Sequence, residues 1–310
     1  MPEPSVVIIL VNWNGLRDTL ACLSSLQHLQ YANARIVVVD NGSQDNSAAI
    51  IRQKFPLIDV IESNENLGFV GGNHLGLIYA QEEKADYALL LNNDTEVAPN
   101  FLDLLVASAE AGGADCEAAR IGIVGPLTFY FHQPEVIWSA GGSIDWRRGE
   151  THMIGIGEKD QGQLGSSPRK VDFVTGCALL IKMSVVAQIG ELDERFFAYY
   201  EDVEWCMRAR RAGYEILCIP QAKVWHKISP EAREVSPLVH YYMTRNRLLF
   251  LQCSRASWQA WLHTAVEYGR TLISWTIKPK WRHKAVQRRM MARAITDFLQ
   301  KRYGKVQQIA

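Results

Sequence analysis

The stretch Tyr87-Ala88-Leu89-Leu90-Leu91-Asn92-Asn93-Asp94 passes abruptly from aliphatic side chains to three polar ones. A short apolar run without in-and-out alternation is the pattern of a strand buried on both faces, as in a parallel sheet covered by helices. Working outward, the pattern recurs. Residues 6–11 are apolar and end in Asn12-Trp13-Asn14-Gly15, and Leu16, Leu20, Leu23 and Leu26 follow at helical spacing. Residues 36–39 end in Asp40-Asn41-Gly42, where Ser43 or Asp45 can cap a helix reaching about residue 55. Residues 60–61 lead into the loop 64–69, a helix is predicted over 72–82, and Pro99 opens another to about residue 111. Alternating strands and helices give an α/β fold with a mostly parallel sheet flanked by helices, whose ligands sit beyond the carboxyl ends of the strands. The polar clusters after residues 11, 39 and 91 should therefore share one crevice.

Beyond Gly125-Pro126 the rhythm changes. Residues 138–146 read as a hairpin around Gly141-Gly142, and 155–169 as a mobile Gly/Ser-rich loop. Strands are expected at 171–174 and 178–181, either side of Thr175-Gly176-Cys177. A helix is expected at 201–212, a strand at 215–219 stopped by Pro220, and a short run at 222–225 before His226. From Pro237 the chain reads as amphipathic helix, so we divide it into a catalytic domain, 1–236, and a C-terminal helical extension, 237–310.

With 48% hydrophobic and 21% charged residues, disorder is excluded. The net charge is zero but unevenly placed: fourteen of the 33 basic residues lie from His240 onward, with only Glu267 and Asp297 opposing them. Six scattered cysteines, Cys116 among them, form no C-x-x-C pair and suit reduced thiols in the cytoplasm. Neither a leader nor a membrane span is expected, since the best candidate, 258–277, carries His263, Glu267 and Arg270. Trp258, Trp261, Trp275 and Trp281 alternate with Arg270, Lys278, Lys280, Arg282 and Lys284. That mixture suits an anionic membrane surface; the plainer reading makes the tryptophans a helical core. No nucleic-acid motif occurs, and an oligomer stays open.

Asp94 lies just past a buried strand, where an oxygen-preferring cation such as Mg2+ or Mn2+ can reach it, with the Asn92 amide as a weaker ligand. Alone, Asn-Asn-Asp-Thr is equally a turn. Glu201-Asp202 opens a helix, where acids are favoured anyway by the helix dipole. The preceding Phe196-Phe197-Ala198-Tyr199-Tyr200, however, would surround a carboxylate with aromatics and raise its pKa, as suits a general base. His226 draws its significance from this company. The Gly-rich loop 64–73, including Asn66 and Gly68, precedes a helix and would let backbone approach an anionic ligand.

Taken in order, Val-Asn-Trp-Asn (11–14), Val-Asp-Asn-Gly-Ser (39–43), Asn-Leu-Gly-Phe-Val-Gly-Gly-Asn (66–73), Leu-Asn-Asn-Asp (91–94), Tyr-Glu-Asp-Val-Glu (200–204) and Trp-His (225–226) resemble the family 2 inverting glycosyltransferases of the GT-A fold, in particular the rhamnosyltransferase-like group. The resemblance covers roughly residues 6–251. It implies that Asp40, with Asn12, Asn66 and Gly68, lines a pocket for a dTDP- or UDP-linked sugar, with Thr175-Gly176 under the sugar. It implies Asp94 and His226 as metal ligands, Asp202 as catalytic base and Glu201 as its neighbour positioning acceptor or base. The acceptor would be a glycan or lipid-linked saccharide in surface polysaccharide synthesis, at the inner face of the membrane. Asn92 stands where a strict D-x-D motif has Asp, so metal binding should lean more on the diphosphate. The alternatives are a catalytically silent nucleotide-sugar binder and a nucleotidyltransferase, though residues 11–15 lack the latter's basic Gly-rich loop.

Overall fold

The aliphatic runs do form central strands. In a computed structural model, which describes residues 3–111, 120–228 and 234–306, β1 (Val6–Asn12) lies between β2 (Ala34–Asn41) and β4 (Tyr87–Asn92), parallel to both. Cys116 falls outside the described residues. None of Val6 to Leu10 is more than 2% exposed, because both faces are covered. Val7 and Ile9 face the layer of α3 (Gly68–Glu82) and α6 (Glu201–Arg211). Val6, Ile8 and Leu10 face α1 (Leu16–Leu26), α2 (Ser47–Lys54) and α4 (Phe101–Glu110).

β3 (Asp59–Ser63) edges one side of this sheet, next to β2. On the other side the direction reverses: β11 (Ala178–Lys182) runs antiparallel to β4 and to β6 (Ile121–Tyr130). β12 (Glu215–His226) then pairs parallel with β6, and antiparallel with β5 (Thr95–Val97) and β10 (Arg169–Lys170). The mostly parallel, helix-flanked α/β sheet expected above is therefore present, with antiparallel strands inserted after β4.

Several elements differ from the expectation. The hairpin placed at 138–146 is two hairpins, β6 with β7 (Gln133–Ser139) and β8 (Gly142–Asp145) with β9 (Glu150–Met153). Residues 171–174 carry only a single bridge, Phe173 to Gly142. The start of the 155–169 loop is pinned to β7 by Ile137 N–H to Glu158 O (2.8 Å) and Asp160 N–H to Glu135 O (2.8 Å). Pro220 does not end a strand: β12 continues to His226 through a register shift between Ile219 and Lys223, where the missing N–H is tolerated. Helix α3 starts at Gly68, four residues before the predicted start. Its Gly72 and Gly76 serve the sheet, since a Cβ there would come within 2.6 Å of Val11 and 2.2 Å of Ile9.

α5 (Met183–Ile189) follows β11, and from Pro237 the described chain is helical as expected: α7 (Pro237–Cys253), α8 (Trp258–Ile277), a 3-10 turn (Pro279–Lys284) and α9 (Ala285–Leu299). Ser236 and Ser257 cap α7 and α8 through their hydroxyls, which accept from Val239 and Ala260 N–H (both 3.4 Å). A boundary after residue 236 passes through shared core, because Leu249 and Phe250 are buried in the same cluster as Trp205 and Tyr200. Trp261 and Trp275 pack inward, as the helical-core reading expects, whereas Trp258 is 71% exposed. Among the described residues no helix is long and apolar enough to cross a membrane.

Candidate active site

Register brings the polar clusters together. Asn12 is level with Asp40, and Val11 with Asn92, so three strand ends open on one crevice. Their side chains take different parts. Asn12 is fully buried: its amide donates to Ser43 Oγ (3.1 Å) and accepts from Thr19 Oγ1 (2.8 Å), Gly15 N–H (3.2 Å) and Asn93 Nδ2 (3.3 Å). It ties together the chain segments that follow β1, β2 and β4. Asp40 Oδ1 accepts from Ser43 N–H at 2.9 Å, shaping the turn after β2.

The neighbouring Asn41, passed over in the sequence reading, clamps the Gly-rich loop. Its amide donates to Gly68 O (2.9 Å) and Asn66 Oδ1 (3.4 Å) and accepts from Leu67 N–H (2.9 Å). Asn66 also accepts from Gly68 N–H (2.8 Å), so its side chain shapes the loop. Gly68 adopts φ +77°, and an added Cβ would meet the Phe197 ring and carbonyl at 2.6 Å. Phe197 therefore packs directly against the Gly68 backbone. An Asp-Asn-Gly turn one strand before an Asn-x-Gly loop was the available signal for this clamp.

At the end of β4, three-residue β5 pairs with the last residues of β12 and sets His226 opposite Thr95. Lys227 N–H donates to Asp94 O (2.9 Å), and Asp94 Oδ1 lies 3.1 Å from His226 Nε2. The Asn92 amide nitrogen is 3.4 Å from the same imidazole nitrogen. Trp138 meets the imidazole edge-on at 4.7 Å between centroids, helping to keep His226 only 4% exposed. Burial alone would raise the Asp94 pKa; the imidazole beside it and Lys227 outweigh that and hold it below the ordinary carboxylate range. Asp94 Oδ1 and His226 Nδ1 are both buried without a hydrogen-bond partner, the 3.1 Å contact lacking hydrogen-bond alignment. Two cis ligands at about 2.1 Å from one cation stand about 3 Å apart, so the Asp94–His226 pair fits a divalent ion.

Glu201 and Asp202 open α6. Asp202 Oδ2 accepts from Gly176 N–H (2.9 Å), which ties it to the Thr175-Gly176 turn, and Oδ1 accepts from Val203 N–H (2.8 Å) in its own helix. The next residue of that turn, Cys177, accepts from Asn92 N–H through its carbonyl (2.8 Å). The acidic pair and the Asp94–His226 pair are thus joined through residues 175–177. The raised pKa expected of a walled carboxylate belongs to Glu201: burial, then repulsion from Asp202, lifts it well above the ordinary value, and Oε2 has no hydrogen-bond partner.

A second group of ligating side chains, Glu150, His263 and Glu267, brings its atoms within 4.8 Å of one another. Arg247 Nη1 lies 2.8 Å from Glu267 and Nη2 3.8 Å from Glu150, so a guanidinium already supplies the cation there.

The family model described as "Glycosyl transferase family 2" matches residues 5–189. The N-acetylglucosaminyl-diphospho-decaprenol L-rhamnosyltransferase of Mycobacterium tuberculosis is 28% identical over 226 residues, covering 66% of this chain and 70% of its own. The dTDP-rhamnosyl transferase RfbF of Shigella flexneri is 24% identical over 266 residues, 80% of each chain. Among solved structures, GalNAc-T7 with UDP, GalNAc and Mn2+ superposes with TM-score 0.62 at 17% identity; the match covers 97% of this chain and 58% of that one. At that identity the likeness shows the fold, and it is the GT-A type expected.

Proposed function

Because the chain belongs to glycosyl transferase family 2, we propose that it catalyses inverting transfer of a hexosyl unit, rhamnose foremost, from a dTDP- or UDP-linked donor to a hydroxyl of a glycan or lipid-linked saccharide in surface polysaccharide synthesis. One observation carries the reading: the Asp94–His226 pair and the Glu201–Asp202 pair flank a single turn, residues 175–177, at the carboxyl ends of β4 and β1.

In this reading Asp40 and the Asn66 loop receive the nucleoside, and Thr175-Gly176 underlies the sugar. Mn2+ or Mg2+ held by Asp94 and His226, with Asn92 beside them, would supply Lewis-acid neutralisation of the departing diphosphate. Asp202, its oxygens fixed by two N–H donors, takes the proton of the acceptor hydroxyl. That oxygen bonds to the anomeric carbon from the face opposite the diphosphate, whose glycosidic C–O bond breaks, and the centre inverts. Glu201, buried beside Asp202 with its pKa raised by that burial and by the Asp202 charge, would position the acceptor or the base.

The membrane reading acquires a definite surface. Trp258, Leu262, Val266, Ile273 and Ile277 are all at least 50% exposed and fall on one face of α8. Lys278, Lys280 and Arg282 follow at its end, so the α8 face would rest on an anionic bilayer at the cytoplasmic leaflet.

The test is hydrolysis and transfer of a panel of dTDP- and UDP-sugars with and without Mn2+. Wild type should turn over one of them only with the metal, and Asp94→Ala should lose that turnover while still folded. Unchanged turnover in Asp94→Ala would refute the assignment.

A further inference from the structure

The segment before the acidic pair is held in a conformation its own sequence disfavours. Phe197, Tyr199 and Tyr200, none a glycine, have φ of +65°, +69° and +73°, and Tyr200 is the residue from which α6 starts. L-residues seldom adopt this left-handed region, and several close together persist only where the surroundings over-determine them. What surrounds them is α7. Asn246 Nδ2 donates to three carbonyls of the segment, Phe196 O (2.9 Å), Ala198 O (2.7 Å) and Tyr199 O (2.8 Å). Arg245 Nη2 donates to Arg195 O (3.1 Å) and Phe196 O (3.0 Å), and its Nε to Asn246 Oδ1 (2.9 Å).

Both side chains are 0% exposed. Burying a guanidinium is costly without compensation, and among the described residues Arg245 has no salt bridge to a carboxylate. Carbonyl oxygens answer its charge, together with the rings of Tyr241 and Tyr242 at 5.3 and 5.1 Å. Arg245 Nη1 also donates to Gly304 O (2.6 Å), so the pair ties the backbone of residues 195–199 to α7 and to the chain after α9.

We propose that Arg245 and Asn246 are positioning residues for Asp202: they lock the left-handed segment from which α6 springs, and so aim the Asp202 carboxylate at the Thr175-Gly176 turn. The proposal rests on Asp202 as the base. It makes α7 part of the catalytic apparatus.

The experiment compares wild type, Asn246→Ala and Asn246→Ala/Tyr199→Gly. It reads kcat and KM with dTDP-rhamnose and Mn2+, and amide hydrogen exchange over residues 196–203. Asn246→Ala should lower kcat about tenfold to a hundredfold, since small misplacements of a reacting group cost that much, with donor KM within about twofold. Exchange over 196–203 should quicken while that of β1 and β4 is unchanged. Tyr199→Gly should restore at least about threefold of the lost kcat, because glycine adopts this φ without the clamp; a role in packing alone would not be rescued. Should Asn246→Ala not fold, Asn246→Asp, which keeps the acceptor for Arg245 and loses the donors, is read the same way. Wild-type kcat in a folded variant, loss confined to KM, or unchanged exchange would overturn the proposal. Absence of turnover by wild type with every donor would instead overturn the transferase reading, and exchange would still decide the clamp.

Discussion

Glu201 is the residue whose chemistry can be examined without a substrate. The folded protein binds its proton more tightly than the unfolded chain, whose glutamate titrates near the ordinary 4.5. The side chain therefore costs stability progressively as pH rises from that value toward the raised folded one. Glu201→Gln should raise Tm by several degrees at about pH 8 and change it little at about pH 4. Equal shifts at both would mean that the folded protein does not hold the Glu201 proton more tightly than the unfolded chain. The motifs Leu-Asn-Asn-Asp and Trp-His, read through the resemblance, named Asp94 and His226 together, and the fold sets them 3.1 Å apart. The partners of Asn12 and the packing on Gly68 were not legible, because Thr19, Ser43, Asn93 and Phe197 reach them only through tertiary approach.

Among elements, α3 owes its seat on the sheet to glycine: Gly72 and Gly76 let the helix settle onto β1. Gly76→Ala would force a methyl against Ile9 and should cost about 1–3 kcal/mol, read from denaturant melts. Gly269→Ala in α8 meets no atom within 4 Å and should instead stabilise by about 0.5–1 kcal/mol. Similar losses at both positions would remove the packing explanation. Strands buried on both faces were easily found, since β1 and β4 are uniformly aliphatic. β12 was split at Pro220 because a proline normally ends a central strand, and the register shift that accommodates it depends on β6. The clamp of α7 on residues 195–199 was hidden for the same reason: Arg245 and Asn246 lie about fifty positions from the carbonyls they hold.

For the whole molecule, charge is polarised, with the basic excess gathered from His240 onward. That polarity was plain from the sequence; which side chains face outward was not, as Trp261 and Trp275 turned inward and the α8 stripe took their place. Leu262→Glu/Ile273→Glu should abolish co-sedimentation with vesicles containing anionic phospholipid, while donor hydrolysis stays at the wild-type rate. Undiminished binding, or a concentration-dependent dimer that the substitutions dissociate, would assign the stripe to another partner. The central claim, that carboxylates a hundred residues apart in sequence act on one donor, is tested most directly by Asp202→Asn at saturating dTDP-rhamnose and Mn2+, with donor Kd measured in parallel. The predicted result is kcat lower by about 10²–10⁴-fold, the range for loss of a general base, with Kd within about twofold. Transfer at the wild-type rate with the same Kd would contradict it.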